Sequence, residues 1–217
     1  MTIGDDLTRL DAGRLQLYVW LYPALGPWVR AAACDEQHRP NVFVYAMPHR
    51  PERLLALVNW DDEAREVGIE NLTGFGNLSG FEAEEYHRMD TLTGESLGRQ
   101  PSAAALRRRL APHSTQIVRL TPAAAHPQLI GTSLHIAGGL VEIQAETWDA
   151  AGAVLSLVLR SEGERQGKLL VAVPAGWRLA APELEVRDGI VEIPLELAHR
   201  QTRVLNLCFD RQKPLGS

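Results

Sequence analysis

The chain has 217 residues, of which 45% are hydrophobic and 23% are charged, and this composition is ordinary for a globular protein with a sizeable core. The formal net charge of −5 disfavours a nucleic-acid surface, because such surfaces usually need a basic face. No signal peptide opens the sequence and no run of about 18 apolar residues could span a bilayer. We therefore expect a cytoplasmic protein that has neither a nucleic-acid nor a membrane partner.

Residues 5–26 are predicted to form a helix, the first element of the chain. Asp5 or Asp6 is a plausible N-cap, and leucines near helical spacing supply a broad apolar stripe. Pro23 and Gly26 mark the end of this helix. Such a stripe needs a partner surface, which could be the chain's own sheets, an absent domain of the same protein or a second copy in a homodimer.

A first β unit is predicted after a linker at residues 30–40. From residue 41 the apolar residues follow the two-residue period of strands, and short strands alternate with regular turn signals. We predict strands at residues 42–46, 54–60, 65–69, 84–90, 106–110 and 116–120. This spacing favours an antiparallel sandwich.

A second, smaller β unit is predicted after an Ala/Pro-rich seam at residues 121–127. Asp188 and Gly189 give the clearest hairpin signal in the sequence, and clean alternation at residues 191–197 indicates one buried face. Cys208 lies in an apolar run and is expected to be a buried thiol.

The predicted fold class is therefore mainly β, with an N-terminal helix followed by two antiparallel β-sandwich-like units. The domain division is residues 1–39, 40–122 and 123–217.

No self-contained active site is recognisable in the sequence. The acidic residues lie mostly in turns and on alternating strand faces, which does not indicate the paired carboxylates of a glycosidase. The cysteines and histidines show no metal-ligand spacing. We assign no catalytic residue, no metal site and no cofactor. Trp148 and Trp177 leave open a platform on which a sugar ring could stack, although core or edge packing is the simpler interpretation.

Several stretches resemble the melibiase or α-galactosidase-like glycoside hydrolases, in which a (β/α)8 barrel is followed by an antiparallel β-sandwich. Residues 3–10 (IGDDLTRL) with 15–23 resemble the last barrel strand, its loop and the last barrel helix. The stretches that resemble the sandwich are 57–61 (LVNWD), 90–98 (DTLTGESLG) and 110–114 (LAPHS). Residues 127–136 (PQLIGTSLHI) look like the start of a further β extension.

The resemblance implies a non-catalytic C-terminal region of such a hydrolase, because the earlier barrel strands and their catalytic aspartates have no counterpart here. It also implies that Asp6 accepts hydrogen bonds from substrate hydroxyls in the intact enzyme, although Asp6 could equally serve as the helix N-cap. The sandwich would cover and stabilise the absent barrel domain. The alternatives are a carbohydrate-binding module and a purely structural or oligomerisation β domain, and whether the chain is an enzyme stays open.

Overall fold

The computed structural model describes residues 29–46, 50–72 and 83–212, and every regular element in these ranges is a strand. The predicted fold class is wrong, because this part of the chain is all-β, in several antiparallel sheets, with no helix between its strands. The helix predicted at residues 5–26 lies outside the described residues, and so does Asp6. No helix in the described ranges is long and apolar enough to cross a membrane.

Sixteen strands occupy the described ranges. They are β1 (Val29–Cys34), β2 (Pro40–Ala46), β3 (Arg53–Val58), β4 (Arg65–Ile69), β5 (Glu85–Asp90), β6 (Glu95–Pro101), β7 (Leu106–Leu110), β8 (Thr115–Pro122), β9 (Gln128–Thr132), β10 (Ile143–Asp149), β11 (Val154–Arg160), β12 (Arg165–Ala172), β13 (Trp177–Leu179), β14 (Val186–Arg187), β15 (Ile190–Leu197) and β16 (Thr202–Arg211).

The first half of the described chain forms a six-stranded sheet and a two-stranded sheet. The larger sheet has the order β1-β2-β3-β8-β5-β6, and β4 pairs with β7 in the smaller one. Their facing side chains form one apolar cluster, to which Leu55 and Leu57 contribute from β3. Leu54, one residue earlier, belongs to a different cluster on the opposite face, as the two-residue period of a strand requires. The six-stranded sheet is therefore buried on both sides around β3.

Strand β1 lies in the stretch that was predicted to be a linker. It pairs antiparallel with β2, although with irregular register at Ala31, Ala33 and Cys34. The sequence VRAAAC carries small side chains and little alternation, so its hydrophobic pattern gives no strand signal even though its backbone joins the sheet.

The second half forms two four-stranded sheets, with the orders β14-β15-β12-β9 and β10-β11-β16-β13. Alternate residues of β15 are buried, which confirms the predicted alternation. The predicted hairpin is also confirmed: Arg187 pairs with Ile190, and Asp188 and Gly189 both have positive φ, at 50° and 74°. Two positive φ angles in a two-residue loop are the signature of a type I′ turn.

The prediction for Cys208 is wrong, since its side chain is exposed. Its neighbours Leu207 and Phe209 are buried in the core between the two four-stranded sheets. Because successive side chains of a strand point to opposite faces, Cys208 of β16 must point outward.

The two halves share buried contacts. Met89 of β5 packs in one cluster with Ile130, Leu170 and Ala172 of the second half. Leu169 and Val171, which alternate with Leu170 and Ala172 along β12, belong instead to the core of the second half. Strand β12 is therefore buried on both faces. The division of the chain into domains stays a prediction, but the structure shows that its sheets meet through an apolar surface and do not stand apart.

Candidate functional site

The stretches at residues 57–61 and 110–114 meet around one buried amide. Asn59 is 2% exposed, and its Nδ2 donates to the carbonyl oxygens of Glu63 at 2.8 Å, Leu110 at 3.2 Å and Ala111 at 2.9 Å. Its Oδ1 accepts from the backbone N–H of Asp61 at 3.0 Å. Asn59 therefore satisfies the polar groups of two turns at once, a structural task that an apolar residue could not perform.

The stretch at residues 90–98 is organised by the carboxylate of Asp90. It accepts from the backbone N–H groups of Leu92 at 2.8 Å and Thr93 at 3.2 Å, and from Nε2 of Gln116 at 2.5 Å. The turn ends at Gly94, whose φ of 69° suits glycine. Both carboxylate oxygens of Asp90 thus accept hydrogen bonds that hold the turn against β8, which indicates a structural role and not a catalytic one.

A buried ion pair lies where the two halves of the structure meet. Arg119 has a side-chain exposure of 1%, and its Nη2 is 3.0 Å from Oε1 of Glu52, whose side chain is 9% exposed. Its Nε donates to Oγ1 of Thr121 at 3.1 Å, and its Nη1 donates to the carbonyl oxygen of Gly138. Burial lowers the pKa of Arg119 from its usual value, while the charge of Glu52 opposes that shift. Such a pair is costly to break, because either charge alone would be left buried.

Glycines let the backbone of the second half approach this ion pair. A Cβ at Gly131 would lie 2.3 Å from Sδ of Met89, and a Cβ at Gly138 would lie 2.9 Å from Cγ2 of Thr91. Gly138 also has a φ of 62°, which side chains disfavour. The backbone at Gly138 can therefore reach the guanidinium of Arg119 only because no side chain stands between them.

A cleft of about 880 Å³ runs between the first and second halves, with His87 among its lining residues. His87 is 6% exposed, and neither ring nitrogen has a hydrogen-bond partner within the part of the chain that the structure describes. Burial, with the nearby charge of Arg99, lowers the pKa of His87 to about 4, so the ring is neutral at neutral pH. The cleft rim is mainly acidic: its carboxylates belong to Glu95, Glu183, Glu185, Asp188 and Glu192.

A smaller pocket of about 350 Å³ lies at Glu142, at the start of β10. Glu142 is 2% exposed, and its Oε2 has no hydrogen-bond partner among the described residues. Burial raises the pKa of Glu142 to about 7, and a hydrogen bond from its own backbone N–H, with the charges of Arg165 and Arg119, opposes that rise only in part. A carboxyl group that titrates near neutrality can carry a proton or make an extra hydrogen bond to a ligand, so this pocket is a candidate binding site.

Trp148 and Trp177 lie side by side, although they are 29 positions apart in the sequence. Their ring centroids are 5.0 Å apart with an interplanar angle of 88°. The ring of His126 stacks on Trp148 at 5.2 Å and 4°, and the guanidinium of Arg211 lies 5.1 Å from the centroid of Trp177. Both tryptophans also pack against the core of the second half. The two indoles are therefore partly covered by the protein's own side chains, and their role in sugar binding stays a prediction.

The structure thus brings together some of the residues that the sequence singled out and adds others. Trp148 and Trp177 come together, whereas Asp6 lies outside the described residues. His87 and Glu142 were not predicted as site residues, because a lone histidine or glutamate in a strand carries no motif. Within residues 29–46, 50–72 and 83–212, no group of three or more His, Cys, Asp or Glu side chains is placed to hold a metal ion.

Comparison with known proteins does not assign a family. No protein-family description matches the chain, and no curated protein matches its sequence. Among solved structures, the isomalto-dextranase of Arthrobacter globiformis T6 complexed with panose aligns with 13% identity and a TM-score of 0.31. The match covers 80% of this chain but 32% of that enzyme, so the chain spans about a third of its length. Similarity this weak establishes neither a shared fold nor a shared activity.

Proposed function

We propose that this chain is a non-catalytic β-sandwich region of an α-galactosidase-like glycoside hydrolase, and that it covers and stabilises the catalytic barrel of the parent enzyme. The proposal rests on the structural role of the stretches that resemble this family, at residues 57–61, 90–98 and 110–114. Asn59 joins the turns at residues 57–61 and 110–114, and Asp90 holds the turn at residues 90–98. The polar groups of Asn59 and Asp90 therefore stabilise a scaffold, which supports a structural role for these stretches.

The parent enzyme would cleave terminal α-galactosyl groups or related sugars with two carboxylates in the retaining geometry. Those carboxylates would belong to a barrel that precedes the β units. In that setting Asp6 would accept hydrogen bonds from substrate hydroxyls at the edge of the barrel. In the parent enzyme, the β units would pack against the barrel domain of the same protein. In the isolated chain, the predicted first helix would instead pack against a second copy and form a homodimer.

The size of the natural gene product tests this proposal. Antibodies raised against residues 29–217 would be used to isolate the product from source cells for intact-mass measurement and assay on an aryl α-galactoside. We expect a product much heavier than 23.9 kDa that hydrolyses the substrate. A product of 23.9 kDa without hydrolase activity would contradict the proposal. Light scattering of the isolated chain tests the homodimer separately, and a monomer that binds no apolar dye would exclude it.

A second candidate function is carbohydrate binding at the paired indoles. The half-buried indoles of Trp148 and Trp177 support it, because an indole that is partly exposed offers a large apolar face to a ligand. Titration of the intrinsic fluorescence with galactosides and oligosaccharides tests this function, with Trp148→Ala as the comparison. No change in fluorescence at millimolar sugar would exclude it.

A further inference from the structure

We propose that the pocket at Glu142 binds a neutral polyhydroxylated ligand with the size of one sugar ring. The site is distinct from the paired indoles and does not depend on the proposed parent enzyme. Its volume of about 350 Å³ lies at the lower end of the range of small-ligand pockets, which suits a ligand of about a dozen heavy atoms.

The side chains of the pocket are almost all planar hydrogen-bonding groups. Besides Val141 and Ser161, the lining consists of Glu142, Gln144, Arg160, Glu162 and Arg165. Two carboxylates face two guanidinium groups, so the formal charge of the lining is balanced and attracts neither anions nor cations strongly. Guanidinium groups only donate hydrogen bonds and carboxylates only accept them. Hydroxyl groups do both, so a polyol satisfies such a mixed lining better than an ion does.

Glu142 is the group that indicates a ligand. Its side chain is almost fully buried and lines the pocket, and its Oε2 has no hydrogen-bond partner among residues 29–46, 50–72 and 83–212. An unsatisfied carboxyl oxygen at such a depth is unfavourable unless something donates to it. A ligand hydroxyl can make that donation. The raised pKa of Glu142, about 7, is consistent with a carboxyl group that burial has separated from water.

The surrounding backbone holds the pocket in one shape. The N–H of Arg160 donates to the carbonyl oxygen of Glu142 at 2.8 Å, which ties the end of β11 to the start of β10. Oγ of Ser161 donates to the carbonyl oxygen of Gly163 at 2.5 Å, which closes the turn beneath the pocket. Glu162 is held at the rim by Nε of Arg160 at 3.2 Å. A pocket whose polar groups are fixed before binding loses little freedom when a ligand enters.

The test is a titration of the isotope-labelled chain with galactose, glucose and mannose, followed by amide chemical shifts. We expect saturable shifts for at least one of these sugars at the amides of residues 141–144 and 160–165. The expected dissociation constant is on the order of 1 mM, as for a ligand of this size. Absence of saturable shifts for all three sugars would overturn the proposal, as would shifts confined to the surroundings of Trp148 and Trp177.

Variants separate a role of Glu142 in binding from a role in folding. Glu142→Ala should weaken binding at least about tenfold, because it removes a buried hydrogen-bonding group. Glu142→Gln should stay within about threefold of the wild type, because the amide keeps a side-chain oxygen that can accept a hydrogen bond from a ligand hydroxyl. Glu183→Ala, on the exposed rim of the other cleft, is the matched control and should not change the affinity.

Gln144→Ala supplies a readout that does not depend on a buried position, since Gln144 is exposed at the rim. It should weaken binding about threefold or more while the amide spectrum stays that of the folded chain. Wild-type affinity in both Glu142→Ala and Gln144→Ala would place the ligand elsewhere and overturn the proposal.

Discussion

Replacement of Arg119 by methionine should destabilise the protein more than any change to a surface arginine. The substitution keeps much of the side-chain volume but removes the guanidinium that lies 3.0 Å from Oε1 of Glu52. It also leaves the carbonyl oxygen of Gly138 without the donor that Nη1 provides. Removal of one partner from a buried ion pair costs about 3–5 kcal/mol, a large part of the 5–15 kcal/mol that typically holds a protein folded.

Urea unfolding followed by tryptophan fluorescence measures this loss. With a slope of about 2–3 kcal/mol per molar urea, the midpoint of Arg119→Met should fall by about 1–2.5 M. Arg107→Met is the matched control, because Arg107 pairs with Glu66 and Glu70 on the surface, and it should cost less than about 1 kcal/mol.

The double variant Arg119→Met/Glu52→Leu tests the cause of the loss. It should recover at least half of the lost stability, since no charge is then left buried. If Arg119→Met costs no more than Arg107→Met, the buried ion pair does not stabilise the fold as expected.

Four further changes follow from the same contacts. Gly138→Ala should lower the free energy of unfolding by about 1–3 kcal/mol, because φ is 62° and the new Cβ would lie 2.9 Å from Cγ2 of Thr91; urea unfolding measures it, and an unchanged midpoint would contradict the geometry. Asn59→Ala should cost about 2 kcal/mol, because three carbonyl oxygens lose their donor; a neutral result would mean that water replaces the amide. The pKa of His87 is about 4 in the folded protein and 6.5 in the unfolded chain, so protonation favours unfolding. The free energy of unfolding of the wild type should fall by up to about 3 kcal/mol as the pH falls from 7 to 4. His87→Leu should remove that part of the pH dependence. The pKa of Glu142 is about 7 in the folded protein and 4.5 in the unfolded chain, so loss of its proton favours unfolding. Relative to Glu142→Gln, the free energy of unfolding of the wild type should fall by up to about 3 kcal/mol as the pH rises from 4.5 to above 7. Equal pH profiles of the two proteins would contradict the burial of Glu142.

Local patterns predicted the parts of the fold that local physics decides. The turn at Asp188 and Gly189 needs two positive φ angles, which these residue types tolerate, so its position follows from two letters of the sequence. The alternation along β15 likewise follows from its own side chains. Strand β1 could not be found in this way, because its alanines carry no pattern and its place in the sheet comes from pairing with β2.

The polar groups inside the protein could not be predicted, because each depends on distant parts of the chain. Glu52 and Arg119 are 67 positions apart, and charged residues usually lie at the surface. Glu142 and Arg165 come together only after β10 and β12 have joined different sheets of one sandwich. The prediction for Cys208 was wrong for a related reason. Its apolar neighbours indicated burial, but its position in β16 places its side chain on the outer face.

The resemblance at residues 57–61, 90–98 and 110–114 identified positions that matter to the structure. Asn59 and Asp90 each make three or more hydrogen bonds at turns, which explains why these residue types stand there. Turn chemistry of this kind does not by itself reveal an activity. The proposed origin of the chain therefore depends on the sequence resemblance alone, while the sites at Glu142 and at the paired indoles depend on the geometry of the structure.

The central claim is that the β units of this chain do not catalyse hydrolysis, and a glycosidase assay of the purified chain tests it most directly. The assay would use aryl α-galactosides and other aryl glycosides at pH 5–8, beside a buffer control. The account predicts rates equal to those of buffer. Turnover that Glu142→Gln abolishes would contradict it, because Glu142 would then be acting as the proton donor of an active site.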